Sequence, residues 1–258
     1  MNTYLQNLKK YKFLLSELVK KDIKLKYRRS KLGILWTLIE PILTTIVMAV
    51  VFSKMRGKDD PAFPVYILTG RLLYSYFSTA TKAAARSIRS NSSMMRKVYV
   101  PKYMYPLATV LSNFVTFMIS MVVLLGAVIL CHVDLTYHLV AGIVPLLILF
   151  VMTLGSSLLL ATAEVFFRDL EYIWSVALTL IMYCSCIFYS PDFLDGKKAI
   201  ILHLNPLYAV IKNFRNSVLY GVGFDYTALA YSSVISVILL VTGLYVFCKK
   251  QDEFILNL

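Results

Sequence analysis

The sequence predicts an all-α integral membrane protein. Six transmembrane helices are expected, with an N-terminal amphipathic interface helix and an outer re-entrant helical pair between spans five and six. Three observations predict this. Apolar residues make up 59% of the chain and charged residues only 16%, against roughly 45–50% and 25% in soluble domains. The apolar residues fall in blocks near the ~20 residues that cross a ~30 Å hydrocarbon core as helix. The net charge of +13 is densest beside the first block, with ten basic residues before Leu32 opposed only by Glu17 and Asp22. That position favours anionic lipid over nucleic acid.

Residues 1–31 form the interface unit. Over 4–29, Leu8, Tyr11, Leu14, Leu15, Leu18, Val19 and Leu25 share one helical arc. Lys20, Lys24 and Arg28 stand on the opposite arc, while Asp22 and Lys26 interrupt the apolar side. Such a helix lies in the membrane plane or serves as a docking surface. The long basic lead and the long first block argue against a cleavable signal peptide.

Residues 32–258 form the six-helix domain, with spans at about 32–52, 63–85, 107–131, 139–166, 172–188 and 229–247. Glu40-Pro41 interrupts the first span: Pro41 is expected to kink it or start a new segment, and a carboxylate at that depth faces a partner or a cavity. The second span is the most polar, carrying Arg71, Tyr74, Ser75, Tyr76, Ser78, Thr79, Thr81 and Lys82. It is expected to face protein or an aqueous path. Glu40, Arg71, Tyr74 and Tyr76 are therefore candidate path residues. The turn with His132, Asp134 and His138 is too small to exclude water, so these are expected to be polar residues facing solvent rather than a metal site. The four cysteines, Cys131, Cys184, Cys186 and Cys248, read as small apolar packing residues. Between spans five and six, two apolar stretches too short to cross the membrane flank Asn205-Pro206, which gives the re-entrant pair.

Loop charge sets the topology. With the N-terminus inside, the inner segments carry eighteen basic residues and the outer ones seven. Both termini are then cytoplasmic. The inner segment from Arg86 to Tyr103 joins basic residues to an apolar set: Met94, Met95, Val98, Tyr99 and Val100. A short helix docking Met94, Met95 and Val98 into a partner's groove explains that mixture. No GxxxxGK[ST] phosphate loop, HExxH or GxSxG occurs, so the chain is expected to be no enzyme, and any ATP must act through another subunit.

Four stretches, in order, carry a resemblance. Glu17 to Trp36 with Glu40-Pro41 resembles the entry helix and first span of the permeases of polysaccharide-exporting ABC transporters. Asn91-Ser-Ser-Met-Met-Arg-Lys97-Val-Tyr-Val-Pro101, running on to Pro106-Leu107, is similar to their inner segment between spans two and three. Phe167-Arg168-Asp169-Leu170 resembles their inner turn after span four. Ser190-Pro191 and Leu204-Asn205-Pro206-Leu207, followed by Arg215, resemble their outer re-entrant segment. Departures fall at Tyr74, Val100, Lys102 and Asp192, where Trp, Phe, Arg and an apolar residue are usual.

The resemblance implies a homodimer in the bacterial cytoplasmic membrane. Two copies of a separate ATP-binding subunit would sit beneath it, holding ATP and Mg, with no cofactor in this chain. The substrate would be a glycan on a polyprenyl diphosphate lipid, such as O-antigen, teichoic acid or capsule. It also assigns coupling to Arg89, Asn91, Met94, Met95, Lys97, Val98 and Pro101. Ser190, Asn205 and Pro206 join the path or its gate. The alternatives are an ABC permease for drugs or lipids, a secondary transporter, which would need a repeat or paired mid-membrane charges, and a membrane enzyme, which would need a polar catalytic cluster.

Overall fold

The computed structural model describes residues 11–56, 62–95, 100–133, 137–191 and 199–254. Leu8, Lys97, Val98, Tyr99, Asp134 and Asp192, which carried expectations above, lie outside them. Every regular element among the described residues is helical. The order is α1 (Lys12–Tyr27), α2 (Trp36–Arg56), α3 (Phe63–Ala85), α4 (Ser87–Ser90), α5 (Ser92–Met95), α6 (Met104–Leu130), α7 (His138–Ala141), α8 (Ile143–Phe166), α9 (Leu170–Tyr183), α10 (Ala199–Leu204), α11 (Pro206–Val218) and α12 (Tyr226–Lys250), with short 3-10 turns at Gly33–Leu35 and Gln251–Glu253.

Four helical stretches are long and apolar enough to cross a membrane: Gly33–Phe52, Met104–Leu130, His138–Phe166 and Tyr226–Glu253. Helix α3 has 23 residues but carries Arg71 and Lys82, which lower its hydropathy. Helix α9 is apolar but has only 14 residues. The sequence sets span five at 172–188, yet the helix closes at Tyr183. Its onward carbonyls have other partners: Cys184 O accepts from Asn205 Nδ2 at 3.1 Å and Cys186 O from Arg215 Nη1 at 2.9 Å. Cys186 itself takes a positive φ of 47°, outside the helical region.

Helix α3 is the axis of the bundle. It packs on α2, α6, α8, α9 and α11, and Val65 to Gly70 are buried without interruption. The expectation that so polar a helix faces protein matches its burial. The main core joins Leu73 and Phe77 of α3 with Phe117 of α6, Met152 of α8, and Val210 and Phe214 of α11. We call the end holding α1, α4 and α5 the base, and the end holding α10 and α11 the crown. A second cluster closes the base, where Leu18 of α1 meets Ile88, Met104, Tyr105, Phe247 and Phe254.

Helix α1 buries the arc that the sequence predicts at Tyr11, Leu14, Leu15, Leu18 and Val19. Leu25 is the departure, at 54% exposed. There the interrupting Asp22 turns inward to accept from Thr109 Oγ1 of α6 at 3.2 Å, so a hydrogen bond overrides the apolar period.

Pro41 begins no new segment: α2 runs through it. A proline lacks the N–H that would bond the carbonyl four residues earlier. That carbonyl, Thr37 O, accepts instead from Ser120 Oγ of α6 at 2.8 Å. At the crown, Asn205 caps α11 by accepting from Leu207 N at 3.0 Å, and Pro206 opens the helix. Both residues suit those positions.

Candidate functional site

Helices α1, α2, α3 and α6 enclose two adjoining cavities. The one nearer the base holds about 480 Å³ and is lined by Asp22, Lys26, Lys82, Arg86, Asn91 and Thr109 among others. The deeper one holds about 210 Å³ between Glu40 of α2, Arg71, Ser75 and Tyr76 of α3, and Asn113 of α6. Lys26, Thr79, Asn113 and Thr116 line both. The result is one polar groove rising from the base into the bundle. It exists because α3 and α6 turn mostly hydroxyl, amide and charged side chains toward α1 and α2, with Leu72, Ala83 and Phe117 among them.

Glu40, Arg71 and Tyr76, named from the sequence as path residues, therefore meet in one cavity. No ion pair closes between Glu40 and Arg71 among the described residues. Burial depresses the Lys26 ammonium, and Glu40 across the groove partly offsets this. Burial raises the Asp22 carboxyl, with Lys21 and the Thr109 hydroxyl opposing. The Tyr76 ring stacks on Phe117 with centroids 4.9 Å apart.

Tyr74 does not belong to the groove. It faces α9 and donates to Leu178 O at 2.9 Å. Asn205 and Pro206 line a separate, mostly apolar cavity of about 390 Å³ with Phe77, Trp174 and Leu239. Ser190 lines neither.

The base holds an ion network. Arg86, just past the end of α3, pairs with Glu171 in the first turn of α9. Arg89 of α4 donates to Glu164 of α8 at 2.8 Å and lies 3.6 Å from Glu171. Glu164 is 1% exposed. Lys21 of α1 donates to Asn91 Oδ1 at 2.7 Å, and Lys102 donates to Gln251 O beyond α12.

The expected coupling residues thus stand in unequal situations. Arg89 and Asn91 are tied to their own chain. Met94 and Met95 are partly buried against the base cluster, both at the end of the four-residue α5. Pro101 accepts from Met104 N at 3.0 Å. Lys20 and Lys24 of α1, and Arg28 just past its end, are exposed, with Lys20 in a 2.8 Å pair to Glu17.

Sequence reasoning missed Glu164 and Glu171. The signal was present for Glu164: a carboxylate inside an apolar block is costly and needs a partner, the argument already applied to Glu40.

The crown is knotted by Arg215, which is 3% exposed. It donates to the carbonyls of Tyr66, Cys186 and Ile187 at 3.0, 2.9 and 3.3 Å. Its guanidinium lies 3.5 Å from the Tyr66 ring centroid. Tyr66 OH also donates to Cys186 O and Tyr189 O. One side chain thereby joins α3, α11 and the turn after α9.

A family model described as ABC-2 type transporter matches residues 14–219. The O-antigen export system permease protein RfbA of Klebsiella pneumoniae is 28% identical over 244 residues, 93% of each chain. Its namesake in Myxococcus xanthus is 29% identical over 252 residues, 96% of each chain. The polysialic acid transport protein KpsM of Escherichia coli is 20% identical over 242 residues, 91% of this chain and 92% of that protein.

Proposed function

The chain belongs to the ABC-2 type transporter family, and on that premise we propose that it is the membrane-spanning permease subunit of an ABC exporter of polysaccharide. The carrying observation is that relatives named for O-antigen and polysialic acid export align over nearly their whole length. The sequence has no phosphate loop of its own, which supports ATP hydrolysis on a separate subunit. The substrate is a glycan on a polyprenyl diphosphate lipid, moved outward across the bacterial cytoplasmic membrane by a homodimer over two ATP-binding subunits.

Six spans complete this reading. The four long apolar helices are joined by α3, most of whose residues are buried among neighbouring helices, and by α9, extended through the turn to Phe188. Helices α10 and α11, of 6 and 13 residues, form the outer re-entrant pair beyond α9. The base is cytoplasmic, as the basic bias requires, and residues 1–31 lie along the membrane there. The groove with Glu40 and Arg71 admits the substrate from that side. Ser190, Asn205 and Pro206 belong to the exit. The base, from Arg89 to Pro101, receives the ATP-binding subunit.

Two measurements test this together. Affinity purification of the tagged chain from its host membrane recovers an ABC ATP-binding protein. Deleting the chain removes polysaccharide from the cell surface and leaves it inside. Surface polysaccharide at wild-type level in the deletion strain overturns the assignment. A deletion strain that instead loses drug resistance or outer lipid places the chain among exporters of those substrates.

A further inference from the structure

Helix α9 is attached to the bundle in an unusual way. Among its 14 residues only Leu178 is fully buried, while Tyr172, Ile173, Val176 and Leu180 face outward. Its inward stripe is Glu171, Trp174, Ser175 and Leu178, three or four residues apart as one helical face requires. Each of these positions is bonded to α3 or to the residue that follows it. Glu171 pairs with Arg86. Ser175 Oγ accepts from Lys82 Nζ at 3.1 Å. Trp174 Nε1 donates to Thr81 Oγ1 at 3.0 Å, and Leu178 O accepts from Tyr74. The partners fall from Arg86 through Thr81 and Lys82 to Tyr74 as the α9 positions rise from 171 to 178, so the two helices meet antiparallel along a polar seam.

A seam of this kind fixes register. Lipid gives no hydrophobic drive toward helix association, and a slide of one residue would strand the part-buried polar groups of Trp174 and Tyr74. Motion along the seam is therefore blocked, while motion of α9 together with α3 and α4 is not. The lower end of the seam runs into α4 through Arg89, Glu164 and Glu171. Its upper end continues beyond α9, where Cys184 O and Ser185 Oγ hold Asn205, and Cys186 O and Ile187 O hold Arg215. An unbroken chain of bonds thus runs from α4 at the base to α11 at the crown, with Lys82 and Arg86 on the wall of the groove.

We propose that this seam is the transmission element of transport: Arg86, Arg89, Glu164 and Glu171 are positioning residues that convert displacement of α4 by an ATP-driven partner into displacement of α9 and the crown. The inference rests on the proposed function, since it requires an ATP-binding subunit acting at the base. It assigns the two arginines to contacts within this chain rather than to contacts with that subunit. Exposed ion pairs alone contribute little. This network includes a buried carboxylate, whose separation from Arg89 leaves an uncompensated charge.

The test uses the assembled permease and ATP-binding subunits. Its readouts are the amount of complex recovered, ATP hydrolysis by that complex, and surface polysaccharide. R86E and E171R each place like charges at the joint, and R86E with E171R reverses the pair. The inference expects each single variant to assemble but to lower polysaccharide exported per ATP hydrolysed by at least about fivefold, the lower end of coupling between sites. It expects the double variant to recover most of that loss. Single variants that export normally overturn it. So do single variants that fail to assemble, which mark a merely structural tie, and a double variant that assembles yet exports no better than the singles. A wild-type complex that exports no polysaccharide overturns the proposed function itself, which separates the two failures.

Discussion

At the scale of single residues, charge is placed where geometry supplies a use for it. Asp225 caps α12 by accepting from Ala228 N at 3.2 Å, and it also accepts from Lys212 at 2.6 Å and from the Thr227 hydroxyl at 2.6 Å. These bonds, Lys212 first, hold its carboxyl well below the usual carboxylate range. A depressed carboxylate stabilises the fold above its unfolded pKa and loses that contribution as pH falls through the folded value. D225A should therefore lower stability at neutral pH, by about 1 kcal/mol for the lost cap. Thermal unfolding in detergent should show the gap from wild type closing only in strong acid. An equal gap at all pH values would remove the carboxylate from the account. Residues of this kind were unevenly legible. Glu40 and Arg71 stood out in apolar blocks, and they line the same cavity. Glu171 did not stand out, because an acid in the first turn of a helix is ordinary and its partner lies 85 residues away.

At the scale of elements, backbone contact matters as much as side chains. Helices α8 and α12 form an extensive contact, and glycines set their approach. A Cβ on Gly155 would lie 2.5 Å from the backbone of Leu239 and Leu240, and one on Gly243 would lie 2.6 Å from Gly155 O. Backbone cannot yield as a flexible side chain can. Overpacking costs about 1–3 kcal/mol, so G155A and G243A should each lower the unfolding temperature of the purified protein. G126A is the control. Nothing lies within 4 Å of its Cβ position, and alanine favours helix by about 1 kcal/mol over glycine. A G155A protein as stable as wild type would show that the helices separate without cost. The limits of α3, Phe63–Ala85, were legible because Pro64 opens it and polarity does not break its helical run. The early end of α9 was not, since it depends on Asn205 and Arg215, which the chain reaches only later.

At the scale of the whole molecule, the basic bias and the fold make one demand: α1, α4 and the C-terminal turn share a side, and the α6–α8 connection lies on the other. Ser93 and Tyr137 are exposed at these two ends. In a background without the four native cysteines, S93C should react with a membrane-impermeant thiol reagent only in inside-out vesicles, and Y137C only in intact spheroplasts. Labelling of S93C from outside would invert the topology. The helical class and the order of the long spans followed from composition and block length. The joining of α1, α2, α3 and α6 into one groove did not, because periodicity assigns faces to helices but not neighbours to faces.

The bond between Thr37 O and Ser120 Oγ also has a consequence in time. Its partners are 83 residues apart in the chain, so a ribosome working at about 5–20 residues per second supplies the serine roughly 4–17 s after the threonine. Through that interval the first span carries a carbonyl that Pro41 has released from the helix and that has no hydroxyl to meet it. The nascent α2 is then least suited to hydrocarbon on the side that also bears Glu40. That side must stay beside headgroups, water or the insertion machinery until α6 arrives, so the sequence that shapes the groove also schedules its closure.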